Sequence, residues 1–157
     1  TAALAEALHE HGDDPALAPP AVEVFVAARQ RVEPYPEVAE VLARWRTRYR
    51  LVAVSNGNAE VERTPLRGLF HDAFSAAMVG AMRPDPALFR AAVERAGVAP
   101  VAALHVGDDP VNDVAAAVAF GLRTAWVNRS GRAFPEDLPR ADVEVPDLAA
   151  LADWLEG

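Results

Sequence analysis

The chain has 157 residues, of which 52% are hydrophobic, and a formal net charge of −8 at pH 7. This length fits one domain with an ample core, and no apolar run approaches the roughly 20 residues that a membrane span needs. The acidic balance disfavours nucleic acid as a partner, and the absence of cysteine excludes disulfides and thiolate metal sites, which fits a cytoplasmic protein.

Residues 1–32 have the pattern of helices. Residues 2–9 are rich in alanine and leucine, and the Gly-Asp-Asp-Pro sequence at 12–15 interrupts them. Apolar residues then recur at helical spacing. The Glu-Pro-Tyr-Pro sequence at 33–36 is typical of a connector, and Pro36 suits the first position of a following helix.

Beyond the connector, predicted helices and strands alternate. The first helix has one apolar face, formed by Val38, Val41, Leu42 and Trp45. Strands are predicted at 51–54, 74–79, 101–106, 123–127 and 143–145. The helices between and after them are predicted at 58–70, 86–96, 111–120 and 147–155. This alternation indicates right-handed β-α-β units, so the predicted fold class is α/β with a parallel sheet.

Three polar residues adjoin these predicted strands: the hydroxyl of Ser55, the guanidinium of Arg83 and the carboxylate of Asp108. Open α/β folds bind ligands at the carboxyl edge of their parallel strands, so we expect the three groups to gather there. A hydroxyl, a cation and a metal-binding carboxylate are the parts of a phosphate-handling site. No nucleophile is evident upstream of them.

The Ser55-Asn56-Gly57 sequence has two interpretations. The Ser55 hydroxyl and the amides of the following turn are suited to hold a phosphoryl oxygen, but the same residues also suit a simple strand-ending turn. Asn56 and Asn58 are candidates for contacting substrate, and Asn58 is equally a candidate helix cap.

Arg83 would neutralise the oxyanions of a phosphoryl group. The alternative is a surface arginine beside a proline-rich turn, since the chain contains no lysine and uses arginine throughout. Asp108 follows a strand and a glycine, where a carboxylate is well placed to bind a hard cation such as Mg²⁺.

Five other polar residues complete the candidates. Asp113 would orient a metal-bound water or Arg83. Asp109 precedes Pro110 and is either a neighbour of the metal or a helix cap. His105 is interpreted as a packed, hydrogen-bonded core residue, and the Asp13-Asp14 pair as solvated turn residues.

The three segments resemble the haloacid dehalogenase superfamily, most of whose members are magnesium-dependent phosphatases. The second family motif resembles the strand that ends in Ser55. The third, usually Lys-Pro-Asp-Pro, resembles Arg83-Pro84-Asp85-Pro86, with arginine in place of lysine. The fourth resembles Val106-Gly107-Asp108-Asp109 followed by Asp113. The resemblance covers residues 35–157, and the first family motif, Asp-x-Asp, has no counterpart here.

The resemblance implies a Rossmann-like core at 34–157, preceded at 1–33 by the remnant of an all-helical cap of the C1 type. It also implies a phosphatase that forms an aspartyl-phosphate on a small phosphorylated metabolite, with Mg²⁺ on Asp108 and phosphate held by Ser55, Asn56 and Arg83. The details around Ser55 and Asp108 look most similar to bacterial phosphatases of flavin-pathway phosphates.

Two alternatives stay open. The Asn-Arg-Ser-Gly sequence at 128–131, Phe120-Gly121 and Ser55-Asn56-Gly57 resemble the 2-haloacid dehalogenase branch, which is metal-free and has serine in the place of Asp108. The second alternative is a non-catalytic phosphate-binding or interaction module without a nucleophile. Asp108 favours the phosphatase. Substrate identity and oligomeric state stay open.

The family's nucleophilic Asp and its general acid would lie on a strand between those predicted at 51–54 and 101–106. Without that strand, both neighbours would have unpaired backbone groups in the core. We therefore expect the native protein to be several tens of residues longer at its amino terminus, and residues 1–157 alone to be inactive.

Overall fold

In the computed structural model, which describes residues 1–57 and 60–157, five parallel strands form two sheets. The two-stranded sheet contains β1 (Val52–Ser55) and β2 (Asp72–Ser75), and the three-stranded sheet contains β3 (Leu104–Gly107), β4 (Arg123–Val127) and β5 (Val143–Val145), in that order. The α-helices of the same residues are α1 (Ala2–Glu10), α2 (Ala18–Arg29), α3 (Val38–Arg46), α4 (Ala76–Val79), α5 (Ala87–Ala96), α6 (Ala116–Phe120) and α7 (Leu148–Glu156).

The predicted α/β class with parallel strands is confirmed. The predicted apolar face of α3 is buried, with Val41, Leu42 and Trp45 at most 7% exposed. This face packs with α7 against β4 and β5 in the largest hydrophobic cluster. Burial of a stripe with helical period is what orients α3, because its other faces carry charged side chains.

The helix predicted over 58–70 is wrong for the described part of that range. Residues 60–70 contain one 3₁₀ turn, Val61–Arg63, and no α-helix. Pro65 disfavours a helical conformation in the residue before it, and Thr64 is extended, with φ −112° and ψ 169°. Asn58, the predicted substrate contact or helix cap, lies outside the described residues.

The apolar run at 74–79, predicted as one strand, is divided between β2 and the single turn of α4. The hydroxyl of Ser75 accepts a hydrogen bond from the amide of Met78 at 3.3 Å and so caps α4. A serine at the end of a strand competes with the sheet in this way because its side chain satisfies a helical amide.

Three other boundaries differ from prediction. The range 101–106 begins with a 3₁₀ turn at Pro100–Ala102, so β3 begins only at Leu104. Pro36 lies in a turn, and α3 begins two residues later. The helix predicted over 111–120 begins as a π-helical segment, Pro110–Ala115, before α6.

A gap separates the two sheets. Within the described residues β1 pairs only with β2, and β3 pairs only with β4, so each has one edge without a partner strand. Every residue of β1 and β3 is partly exposed, whereas β4 is buried after its first residue. Central strands of a parallel sheet are normally buried on both faces. Two cavities, of about 780 and 480 Å³, open along this gap, and residues of both strands line each one.

Residues 1–33 are helical where they are regular and contribute no strand. Gln30, just after α2, is buried, and its side-chain oxygen accepts a hydrogen bond from the amide of Glu60 at 2.9 Å. This contact ties the helical segment to the loop that follows β1. Among the helices that the structure describes, none has the length and apolar character to cross a bilayer.

Candidate active site

Asp113 is the centre of a polar cluster at the carboxyl end of β3. Its carboxylate accepts hydrogen bonds from Nη1 of Arg83 and from Nε2 of His105, the latter at 3.0 Å. The main-chain amides of Asp108 and Asp109 also donate to it, at 3.1 and 3.0 Å. The side chains of Asp113, His105 and Arg83 are only 8, 10 and 13% exposed. Four donors therefore surround one buried carboxylate.

The cluster keeps Asp113 ionised. Burial by itself would raise the pKa of Asp113, because a low-dielectric environment disfavours the charged form. The hydrogen bonds from His105 and from the Asp109 amide, with the nearby charge of Arg83, outweigh burial and hold that pKa below the ordinary value of 3.8. At neutral pH the carboxylate therefore compensates the guanidinium of Arg83.

Gly107 makes this packing possible. A Cβ atom at this position would lie 2.2 to 2.5 Å from side-chain atoms of Asp113, which is closer than real atoms approach. The glycine before Asp108 is thus required by the close approach of Asp113. This contact gives the Gly-Asp sequence a structural reason that is independent of any metal.

Asn56 holds Arg83 in place through the main chain. Its Nδ2 donates to the carbonyl of Arg83 at 3.1 Å, and its Oδ1 accepts from the Arg83 amide at 2.8 Å. Both polar atoms of the predicted substrate contact are therefore engaged with protein. The hydroxyl of Ser55 accepts from the amide of Gly57 at 2.9 Å, which is the strand-ending turn that the sequence also suggested.

The two neighbouring carboxylates of the fourth motif have different environments. Asp109 caps the π-helical segment, accepting from the amides of Val111 and Asn112 at 2.9 and 2.7 Å. Asp108 is exposed, and no side chain or amide within residues 1–57 and 60–157 hydrogen-bonds its carboxylate. Only the main chain of Asp108 is engaged.

The carboxylates at this edge could supply one ligand to a magnesium ion. Across the described residues, no three His, Cys, Asp or Glu side chains are grouped to hold a metal. Mg²⁺ is commonly bound through one or two carboxylates, with waters and substrate oxygens as its other ligands. The uncommitted carboxylate of Asp108 fits that role in type and position, whereas Asp109 and Asp113 are engaged with protein donors.

The structure brings most of the predicted residues to one edge. Arg83, Asp108 and Asp113 line the larger cavity, and Ser55 ends β1 at the same edge. Asp13 and Asp14 lie in an exposed turn near the beginning of the sequence and do not line the cavity. Asp14 caps the 3₁₀ turn Pro15–Leu17.

His105 is packed and hydrogen-bonded, as the sequence predicted, but its partner Asp113 was not predicted. The polar roles of Trp126 and Arg132 were missed altogether. His105 and Gly107 are two residues apart on β3 and so face the same side. Because Gly107 contacts Asp113 in the structure, this alternation explains why His105 lies in the same cluster. Trp126 and Arg132 both donate to the carbonyl of Asp108, and no local pattern indicates this.

Comparison with known proteins identifies a consistent set of relatives. The sequence pattern of the haloacid dehalogenase-like hydrolases matches residues 1–121. The chain is 42% identical to the phosphoserine phosphatase of Thermus thermophilus, over 91% of this chain and 59% of the relative. It is 34% identical to the haloacetate dehalogenase H-2 of Moraxella sp. (strain B), over 77% of this chain and 56% of the relative.

A solved structure is similar along almost the whole chain. The 2-haloacid dehalogenase from Pseudomonas syringae pv. Tomato DC3000 superposes with a TM-score of 0.90 at 38% identity, covering 98% of this chain and 68% of that one. The chain therefore spans somewhat more than half the length of the curated relatives described above.

Proposed function

The chain belongs to the haloacid dehalogenase-like hydrolase family, and we propose that the intact protein is a magnesium-dependent phosphatase of small phosphomonoesters. The observation that carries this proposal is the exposed carboxylate of Asp108, which stands at the end of β3 with no described hydrogen-bond partner. The identity to a phosphoserine phosphatase supports it and makes phosphoserine the first substrate to assay. A flavin-pathway phosphate is the second.

The residues of the chain divide the work of holding the phosphoryl group. The Ser55 hydroxyl would donate to a phosphoryl oxygen while its oxygen accepts from the Gly57 amide, and Arg83 would supply positive charge beside it. Asn56 and Asp113 would keep Arg83 in place, through its main chain and its guanidinium respectively. Asp108 would hold Mg²⁺, which when bound neutralises charge on the phosphoryl oxygens.

We propose that the nucleophile is an aspartate on a strand that occupies the gap between β1 and β3. Three observations support this strand: both facing edges lack a partner within the described residues, both strands are half-buried, and cavities open along the gap. The indole N–H of Trp45, which lines both cavities, is buried and has no described partner. The carboxyl end of such a strand would lie beside Arg83 and Asp108. Attack of its carboxylate oxygen on phosphorus would break the ester P–O bond, release the alcohol with a proton from the general acid on the same strand, and form an aspartyl-phosphate. Water would then attack that phosphorus, which releases inorganic phosphate and restores the aspartate.

A second candidate is a metal-free 2-haloacid dehalogenase. The 38% identity and 0.90 TM-score to a 2-haloacid dehalogenase favour it, as does the Asn-Arg-Ser-Gly sequence at 128–131. In that case the Asp108 carboxylate would have no metal to bind. The two candidates differ in a measurable requirement for magnesium.

The deciding experiment assays the intact gene product for phosphate release from p-nitrophenyl phosphate and phosphoserine, and for chloride release from 2-chloropropionate. We expect magnesium-dependent phosphate release that EDTA and Asp108→Ala abolish, while Asp137→Ala, at an exposed acidic residue outside the site, retains activity. Chloride release undiminished by EDTA would establish the dehalogenase instead. We expect residues 1–157 alone to release no phosphate, and turnover by that chain would contradict the proposed origin of the nucleophile.

A further inference from the structure

The main-chain carbonyl of Asp108 receives two side-chain hydrogen bonds. The indole Nε1 of Trp126 donates to it at 2.9 Å, and Nη2 of Arg132 donates to it at 2.6 Å. A carbonyl oxygen has two lone pairs, so this acceptor is fully used. On its other side the amide of Asp108 donates to Asp113. The main chain of Asp108 is therefore held at both ends while its carboxylate stays uncommitted among the described residues.

Trp126 is fixed by packing. It is 1% exposed, lies opposite Gly107 in the register of β3 and β4, and meets the ring of Phe134 edge-to-face at 4.9 Å. A buried indole N–H needs an acceptor, because a buried donor without a partner loses its hydrogen bonds to water and gains none. The carbonyl of Asp108 is that acceptor, so moving Asp108 would leave the indole unsatisfied.

Arg132 is fixed by the loop after β4. The side chain of Asn128, which is 7% exposed, donates to the Arg132 carbonyl at 2.8 Å and accepts from the Arg132 amide at 3.1 Å. The same Nδ2 donates to Glu144 of β5 at 2.6 Å. The guanidinium of Arg132 lies 5.8 Å from the ring of Trp126. Asn128 thus holds the backbone of Arg132 so that its side chain reaches Asp108.

We propose that Trp126 and Arg132 are positioning residues for Asp108, and that they aim its carboxylate by fixing its carbonyl. The inference rests on the proposed function only in taking that carboxylate to bind Mg²⁺. Groups that orient a metal ligand typically affect metal affinity or activity by 10- to 100-fold. The loop after β4 is thereby part of the site, although it contributes no predicted ligand.

The test uses the indole N–H signals of the intact protein in ¹⁵N-correlated NMR spectra, assigned by Trp→Phe substitutions. Adding Mg²⁺ should shift the Trp126 signal, because its acceptor belongs to the residue that binds the ion, and should leave the signal of the exposed Trp154 in place. Calorimetric titration should show Mg²⁺ affinity about 10- to 100-fold weaker in Arg132→Ala and in Trp126→Phe. Arg140→Ala is the matched control, since Arg140 lies 5.9 Å from the ring of Phe134 and has no hydrogen bond to Asp108.

Each outcome decides a separate point. Wild-type Mg²⁺ affinity in both Arg132→Ala and Trp126→Phe would overturn the inference. A rise in KM for Arg132→Ala without a change in Mg²⁺ affinity would also overturn it, because Arg132 would then be a substrate contact. Unchanged affinity in Asp108→Asn would instead refute the metal assignment of the proposed function. In that event hydrogen exchange at the Asp108 amide still tests the positioning: faster exchange in Arg132→Ala supports it, and unchanged exchange refutes it.

Discussion

Arg83 and Asp113 form a buried ion pair between the loop after α4 and the π-helical segment after β3, with side chains 13 and 8% exposed. The pair lines the larger cavity, so the charge of Arg83 is balanced inside the protein before any substrate enters. Its guanidinium keeps one buried donor, Nε, without a partner in the described structure. Arg83 is therefore held by one anion, and its buried Nε is a donor that this anion does not satisfy.

Two substitutions of Arg83 should distinguish the contribution of its positive charge to activity from that of its guanidinium geometry. In the intact protein we expect Arg83→Ala to lower kcat/KM roughly 100- to 1,000-fold, because it removes a charged donor from the phosphoryl site. Arg83→Lys should retain far more activity, since it keeps the charge and restores the usual family residue. Steady-state kinetics, with folding checked by circular dichroism, compare the two. Near-wild-type kinetics for Arg83→Ala would show that Arg83 does not act in the phosphoryl site.

Removing the carboxylate of Asp113 should destabilise the fold strongly. Asp113→Asn leaves the guanidinium of Arg83 buried without its counterion, and breaking a buried pair from one side costs about 3–5 kcal/mol. The matched control is Glu62→Gln, which breaks a pair with Arg67 whose side chains are 63 and 80% exposed and which should change stability by less than about 1 kcal/mol. Urea denaturation measures both. Equal losses of unfolding free energy in the two variants would show that the buried pair stabilises the fold no more than an exposed pair does.

The contribution of Asp113 should depend on pH in a defined direction. Its folded-state pKa lies below the unfolded value of 3.8, so the stabilisation is fully present above that value and is lost as pH falls through the folded-state pKa. The difference in unfolding free energy between wild type and Asp113→Asn should stay constant from pH 7 to pH 5 and shrink only below about pH 4. A difference that already shrinks between pH 7 and pH 5 would show that a group other than the Asp113 carboxylate carries the pH dependence.

A methyl group at Gly107 should disturb the same cluster. Gly107→Ala places Cβ within 2.5 Å of Asp113, so the cluster must shift, and overpacking of this kind costs about 1–3 kcal/mol. Gly57→Ala serves for comparison, because its nearest contacts are 3.3 Å to the Ser55 hydroxyl and 3.5 Å to Arg29, and its loss should be smaller. Thermal denaturation ranks the two variants, and the reverse order would show that Asp113 has room to move.

The sequence by itself was enough to predict the α/β class and the buried face of α3, and Arg83 and Asp108, which it predicted to lie near each other, line the same cavity. These features follow from local periodicity and from the rule that parallel strands end together. Segment boundaries were less predictable. A local competition decided them, as at Ser75, where a side-chain hydroxyl caps α4 and ends the strand.

Only the tertiary structure decided which polar groups meet. The side chain of Asn56 is hydrogen-bonded to the main chain of Arg83, 27 residues away. The carbonyl of Asp108 is held by Trp126 and Arg132, 18 and 24 residues away. Such partners depend on the register of β3 against β4 and on the course of the following loop. Neither is encoded in a local pattern, because a hydrogen bond between distant residues requires the whole sheet to be in place first.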